Sequence, residues 1–394
     1  MLPDYALDDP SFFLDDVEAS YRRLRDESPV YWCERAGFWA LAKHGDIQFV
    51  SKNPQLFCSG RGVLVNDPMR DGTMPAQPPS IIYMDPPAHV RYRRIVSKVF
   101  TPRMVAALEP RIRSLAAASL DAVPVGGAID FVEHIAAPLP LLVIAEMLGI
   151  PGEDRVQLKR WSDAIIDGAD AGVEATMSTV QELFGYFLQS LETRRQAPRD
   201  DLISALVLAE VEGERLADDE VLMFCMTLLV AGNETTRNLI AGGTRGLILF
   251  PDQRRKLVAD PALIPNAVAE MLRWVTPVKT FARTATTDTR IRGQRIAEGD
   301  YVVLLYASGN RDEEVWGPTA ERFEVSRSPD PGHLSFGIGP HSCLGLNLAT
   351  LEANVLFEEM LARFPSLELA GECERLRSTI MNGIVRMPVV LKHN

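Results

Sequence analysis

Between Pro198 and Pro251 the chain carries no proline, and the run of apolar positions beginning at Asp218 predicts a single helix reaching Phe250. Asp218, Asp219 and Glu220 open it, where negative charge suits the helix dipole, and Pro251 closes it. At 1.5 Å per residue such a helix is on the order of 50 Å long, enough to cross a whole domain. Its first half, Val221 to Val230, is apolar on nearly every side, which marks a buried helix. Further helical patterns are predicted over Asp15–Arg25, His89–Val99, Pro102–Ala122, Leu139–Leu148, Glu153–Ile166, Val173–Arg195, Pro251–Ala259, Leu263–Trp274 and Leu344–Arg363. Strands are fewer: a hairpin from Pro29–Cys33 and Phe38–Leu41, then Asp288–Arg292, Tyr301–Leu305 and Val385–Leu391. No strand–helix alternation builds a doubly wound sheet, so the expected fold is mainly α with small peripheral β-sheets. Ser59–Pro87 is rich in proline and glycine without a sustained period, the composition of a lid or binding loop.

Charge and composition narrow the function by exclusion. Lys plus Arg number 41 against 53 Asp plus Glu, a net −12, which argues against nucleic-acid partners and anionic membrane surfaces. The longest apolar runs, Leu139–Leu148 and Val221–Gly232, hold 10 and 12 residues, short of the ~20 of a spanning helix. The first ten residues are acidic where a signal peptide needs positive charge. No membrane span and a cytoplasmic location are therefore expected. Cys33, Cys58, Cys225, Cys343 and Cys373 are odd in number and widely spaced, which suits neither a disulfide framework nor a zinc knuckle.

Candidate chemistry concentrates in four segments. Phe336-Gly337-Ile-Gly-Pro-His341-Ser-Cys343-Leu-Gly345 is a tight loop that brings a cysteine to a predicted helix N-terminus, where peptide dipoles stabilise a thiolate. Gly345, placed inside that helix, would let a flat ligand press on the backbone. Ala231-Gly232-Asn-Glu234-Thr235 cuts a notch in the long helix and sets an acid and an alcohol among apolar residues. Glu270 and Arg273 stand one helical turn apart. His89 and Arg93 share one helix face and can reach one anionic group.

The Phe-x-x-Gly-x-x-x-Cys-x-Gly spacing of Phe336–Gly345 resembles the haem-ligand loop of the cytochrome P450 family, and the other segments follow in that family's order over nearly the whole chain. The soluble bacterial members that oxidise terpenoids, steroids and other lipids are the nearest in pattern. The resemblance implies one catalytic domain over 1–394, with haem b between the long central helix and the cysteine-loop helix. It implies Cys343 as the axial iron ligand, whose electron donation favours O–O cleavage. His89, Arg93, Arg283 and His341 are implied partners of the haem propionates, and Phe336, Gly337, Gly345, Ala231 and Gly232 further haem contacts. Glu234 and Thr235 are the implied proton relay; Glu270, Arg273 and Arg322 the implied structural lock. Thr227, Val230, Lys279, Phe281, Ile380 and Met381 are candidates for the substrate pocket, with Ser59–Pro87 and Ile165–Met177 as lids. Asn233 replaces a frequent histidine and Thr350 a frequent arginine of the family.

Electrons must then come from outside. Gly242-Gly-Thr-Arg-Gly246 lacks the Gly-x-Gly-x-x-Gly spacing of dinucleotide binding, and no cysteine cluster suits an iron–sulfur centre. The expected partners are O2, a hydrophobic small molecule and an acidic ferredoxin with its reductase, the ferredoxin docking near Arg91, Arg94 and Lys98. The alternatives are a peroxide-driven haem peroxygenase and a non-enzymatic haem-binding sensor.

Overall fold

A computed structural model of the protein describes residues 3–14, 17–70, 80–98, 100–124, 126–168, 173–211 and 213–392. The central helix spans Asp218–Leu249. Glu220 reaches back to the Ala217 N–H at 2.8 Å, satisfying a donor that a helix start leaves unpaired. Around this helix packs the largest apolar cluster, which includes Leu229, Leu239, Ile240 and Leu247. Gly242 and Gly243 let the helix Ile264–Val275 come close: a Cβ at 242 would stand 2.6 Å from Val275, and one at 243 would stand 2.8 Å from the Met271 sulfur. The glycines that fail as a dinucleotide motif thus serve helix packing.

The sheets are small and join distant parts of the chain. Val30–Cys33 and Phe38–Leu41 form the expected antiparallel hairpin, and Tyr301–Leu305 runs parallel to its second strand. Thr280–Ala285 pairs antiparallel with Tyr301–Leu305, Arg283 facing Val302, and Phe57–Cys58 closes the five-stranded sheet. Ser366–Leu369, Pro388–Lys392 and Ala128–Asp130 make a second sheet. Among the described residues no helix is long and apolar enough to cross a membrane.

Several predicted elements change in detail. Pro102–Ala122 is two helices, Pro102–Ala107 and Glu109–Asp121, because Pro110 lacks an N–H and fits only the first turn of a new helix. Val385–Leu391 divides between Ile384–Arg386 and Pro388–Lys392, which pair in different sheets on either side of Met387. The helix expected from Leu344 starts at Leu346, and Gly345 is its N-cap rather than an interior residue. The helices His44–Lys52 and Leu202–Leu208 lie outside the predicted set. Residues 71–79 of the Ser59–Pro87 lid and 169–172 of the Ile165–Met177 lid lie outside the described residues.

Candidate functional site

Cys343 sits in a loop whose shape the backbone sets. Its N–H donates to the Phe336 carbonyl at 2.8 Å, closing the loop, and Gly339–His341 makes one 3₁₀ turn inside it. Gly339 has φ +77°, and a Cβ there would run into the Ser51 carbonyl, so only glycine fits. All five cysteines are free thiols, and Cys343 is half-buried. Burial pushes its pKa up, while the Gly345 N–H and the Arg93 charge pull it down. Desolvation is the largest influence, so the thiol sits above its ordinary value, with one backbone donor and one arginine pulling the other way. A Cβ on Gly345 would lie 3.9 Å from the Cys343 sulfur, so the absent side chain leaves room beside the thiol.

The four expected basic groups converge on this loop. His89 and His341 face each other with ring centroids 4.1 Å apart. Arg93 donates to the Ser342 carbonyl at 2.7 Å and to its hydroxyl at 3.2 Å; Arg283 donates to the Ala282 carbonyl at 2.7 Å. His341 Nε2 lies 3.3 Å from the Ser59 hydroxyl. Burial, then Arg93 and Arg283, push His89 down despite Asp85. Burial with Arg283, His89 and Arg93 holds His341 at about 3.

This arrangement fits a buried dianion. His89 is 1% exposed, and both its ring nitrogens are without a hydrogen-bond partner. A buried imidazole with neither nitrogen satisfied is costly. Arg93 and Arg283 bond to carbonyl or hydroxyl oxygens and to no carboxylate among the described residues. Two carboxylates brought by a flat ligand seated against Cys343 would supply the missing acceptors.

The notch lies in the central helix. Ala231 is exposed and Thr235, one turn on, half-buried, while Asn233, Glu234 and Thr236 are buried. At Gly232 a Cβ would meet Ile144 at 2.9 Å, so its small size serves packing on the helix Pro138–Met147. Thr235 donates to the Ala231 carbonyl at 2.7 Å, the back-bond common to threonine in helices. Glu234 is 7% exposed; burial pushes its pKa up and Arg237, 3.4 Å away, only partly offsets this. Such a carboxyl holds a proton at a pH where a solvated one has lost it. Asn233 donates to Ser162 at 2.8 Å, tying the notch to the helix Arg155–Gly168.

The pocket candidates separate into two groups. Thr227, Val230, Phe281, Ile380 and Met381 are half-buried, as cleft walls are, and Thr227 lies 3.4 Å from the Ser80 hydroxyl at the described end of the Ser59–Pro87 loop. Lys279 is buried instead.

The lock forms with one exchange. Arg273 donates to both Glu270 oxygens at 2.7 and 2.8 Å and to the carbonyls of Asn310, Ala320 and Arg322. The arginine that also reaches Glu270 is Arg327, at 3.2 Å; Arg322, expected in that place, contributes its backbone carbonyl. The expected docking cations are engaged as well. Arg91 pairs with Glu220 at 2.8 Å and Glu214 at 3.5 Å, Arg94 with Glu214 at 3.5 Å, and Lys98 donates to the Glu210 carbonyl at 3.0 Å. Sequence reasoning missed Ser342, Ser59 and Arg327, whose loops carry no periodic signal. It also missed Glu352, buried at 2% on the helix Leu346–Arg363, though an acid inside an apolar helix pattern was readable.

Comparison with known proteins gives one answer throughout. The family described as Cytochrome P450 matches residues 253–393. A steroid C26-monooxygenase of Mycobacterium tuberculosis is 37% identical, covering 98% of this chain and 97% of that protein. A methyl-branched lipid omega-hydroxylase of Mycobacterium bovis is 38% identical over 95% of this chain and 91% of its own. The solved structure of a cytochrome P450 from Chondromyces apiculatus superposes with a TM-score of 0.89 at 36% identity, covering 98% of both chains.

Proposed function

The chain belongs to the cytochrome P450 family, a haem monooxygenase acting on a hydrophobic molecule, and on that premise we propose which residues carry the reaction, on what, and with whose electrons. The substrate is a terpenoid, steroid or fatty-acid-like compound, hydroxylated with O2 and electrons from a separate ferredoxin and its reductase. The cofactor would be haem b, with Cys343 the residue that would ligate its iron and His89, Arg93, Arg283 and His341 the residues that would hold its propionates. Residues 1–394 act as one catalytic unit, a reading supported by strands from residues 30–58 and 280–305 sharing one sheet. The observation that carries the assignment is the bare, buried ring of His89 beside three other basic groups at the Cys343 loop.

When bound, the haem supplies the oxygen-transfer chemistry that converts a C–H bond to an alcohol, tuned by the thiolate. The chain supplies position and protons. Gly345 leaves space beside the sulfur, and the Gly345 N–H and Arg93 stabilise its negative charge. Glu234, whose carboxyl burial shifts toward the protonated form, is the proton donor at the notch. The Thr235 hydroxyl spends its own proton on the Ala231 carbonyl, which leaves its oxygen free to accept a proton-bearing partner in the cleft. Apolar walls at Val230, Phe281, Ile380 and Met381 exclude water from the substrate.

The test is spectral. The carbon-monoxide complex of the reduced protein should show the strongly red-shifted Soret band of thiolate ligation, and Thr235→Ala should keep that band while diverting reducing equivalents from product to hydrogen peroxide. An unshifted band removes Cys343 from the iron; unchanged coupling removes Thr235 from the relay.

A further inference from the structure

Arg237 is a half-buried cation on the central helix, beside the acid of the notch. It stands three positions after Glu234, the spacing that sets two side chains next to each other on a helix. Its Nη2 lies 3.4 Å from Glu234 Oε1. Contacts between a guanidinium and a carboxylate close to about 2.7–2.9 Å, so this one is loose, as suits an acid that still holds its proton. Arg237 Nε, buried on the same edge of the guanidinium, has no hydrogen-bond partner among the described residues. A carboxylate can take both donors of that edge at once.

The elements packed along this stretch bring neutral groups to it or charges engaged elsewhere. Ser162 meets Asn233 and Ile144 meets Gly232. Glu146 pairs with Arg111 and Arg155, His134 Nδ1 lies 2.9 Å from the Asp130 carbonyl, and Glu182 accepts from Trp161. Glu270 holds Arg273 and Arg327, and Glu352 is shifted by its own burial alone. The charge that acts on Glu234 is that of Arg237: burial favours the protonated carboxyl, and the arginine favours the carboxylate. A proton donor needs both influences, since an acid that never ionises cannot give up its proton and a permanently ionised one has none to give.

We propose that Arg237 is a positioning residue of the proton relay, its guanidinium closing on Glu234 as the acid becomes a carboxylate. The Glu234 O–H bond breaks, its electron pair stays on the carboxylate, and the proton passes to the oxygen being reduced in the cleft. A solvent proton then restores the acid and the contact loosens, while Arg237 keeps all its own protons. Neither side chain is sealed from that solvent proton: Glu234 keeps 9% and Arg237 13% of its side-chain exposure. This rests on the reading of Glu234 as the donor at the notch.

The test follows the Glu234 carboxyl itself, by its protonated C=O infrared band in the ferric holoenzyme. Glu234→Gln should remove that band and so identifies it. Arg237→Met should move the titration midpoint of the band upward by about one pH unit or more, because the lost cation no longer favours the carboxylate. Arg237→Lys should return most of that shift. Function is read as the share of reducing equivalents released as hydrogen peroxide when an acidic ferredoxin and its reductase reduce the holoenzyme in air, without added substrate. Arg237→Met should raise that share by about threefold or more, and the same change made in Glu234→Gln should add nothing. An unmoved midpoint would overturn the proposal, as would a rise in peroxide of equal size in both backgrounds. A lowered melting temperature with an unmoved midpoint would overturn it too, since Arg237 would then serve packing alone. A Glu234→Gln variant with wild-type peroxide release would instead fail the reading of Glu234 as donor, which keeps the two failures distinct.

Discussion

Glu352 shows how one side chain can set a stability profile without touching the reaction. It is 2% exposed, its Oε2 has no partner, and burial alone pushes its pKa well above the ordinary carboxylate range. The folded state therefore keeps a proton that the unfolded chain releases near pH 4.3. Stability linked to this group is fully present below that pH and is lost as pH rises toward the folded value, because the native state then binds more protons than the unfolded one. Each unit of upward displacement is worth ~1.4 kcal/mol at neutral pH. Glu352→Gln keeps the shape and cannot ionise, so its urea midpoint should gain on the wild type between pH 5 and pH 8. A midpoint difference that is the same at both pH values would mean that the carboxyl titrates normally. Glu234 is buried too, but Arg237 stands beside it, so the two carboxyls differ in partner more than in exposure.

Between elements, the crossing of the central helix and Ile264–Val275 depends on missing side chains. A Cβ at Gly242 would stand 2.6 and 2.8 Å from the two Val275 methyls, whereas one at Gly246 would meet the Phe323 ring at 3.4–3.5 Å, an ordinary contact. Alanine is worth about 0.5–1 kcal/mol over glycine inside a helix. Gly246→Ala should therefore stabilise by up to ~1 kcal/mol, while Gly242→Ala should destabilise by about 1–3 kcal/mol through overpacking. Urea unfolding separates the two, and a stabilising Gly242→Ala would mean that the helices yield freely there. The same contrast explains what could be read from residues alone. The central helix was legible to within one residue because Asp218 and Pro251 bound a proline-free, largely apolar run. Gly232 pointed to a notch, but whether the notch faced a ligand or Ile144 depended on a helix far away in sequence. Arg322 and Arg327 were equivalent in an irregular stretch, and only the folded path brings Arg327 to Glu270. Cys343 stood out because its loop forces a local spacing, and His89, Arg93, Arg283 and His341 came from the family resemblance; the pairing of Arg91 with Glu214 and Glu220 was not legible, since nothing local encodes it.

Across the whole molecule, that pairing bears on how electrons arrive. A chain of net charge −12 repels an acidic ferredoxin at long range, so docking needs a local positive face. The three cations expected to form it are held against the start of the central helix and the strands Glu210–Val211 and Glu214–Arg215, and Glu214 lies 3.5 Å from both Arg91 and Arg94. Glu214 is largely exposed, so these pairs contribute little to folding, ~0–1 kcal/mol each. Their larger effect is on the field, since the carboxylate cancels charge that a partner would otherwise meet. Removing it should speed association without altering the haem site. Glu214→Gln should raise the rate of reduction by an acidic ferredoxin by about two- to tenfold at low salt, because steering acts on the encounter rate. The advantage should vanish toward ~1 M salt, where the screening length falls to about 3 Å. Stopped-flow reduction across a salt series measures both. A variant that matches the wild type at every ionic strength would place the electron donor on another face, away from Arg91 and Arg94.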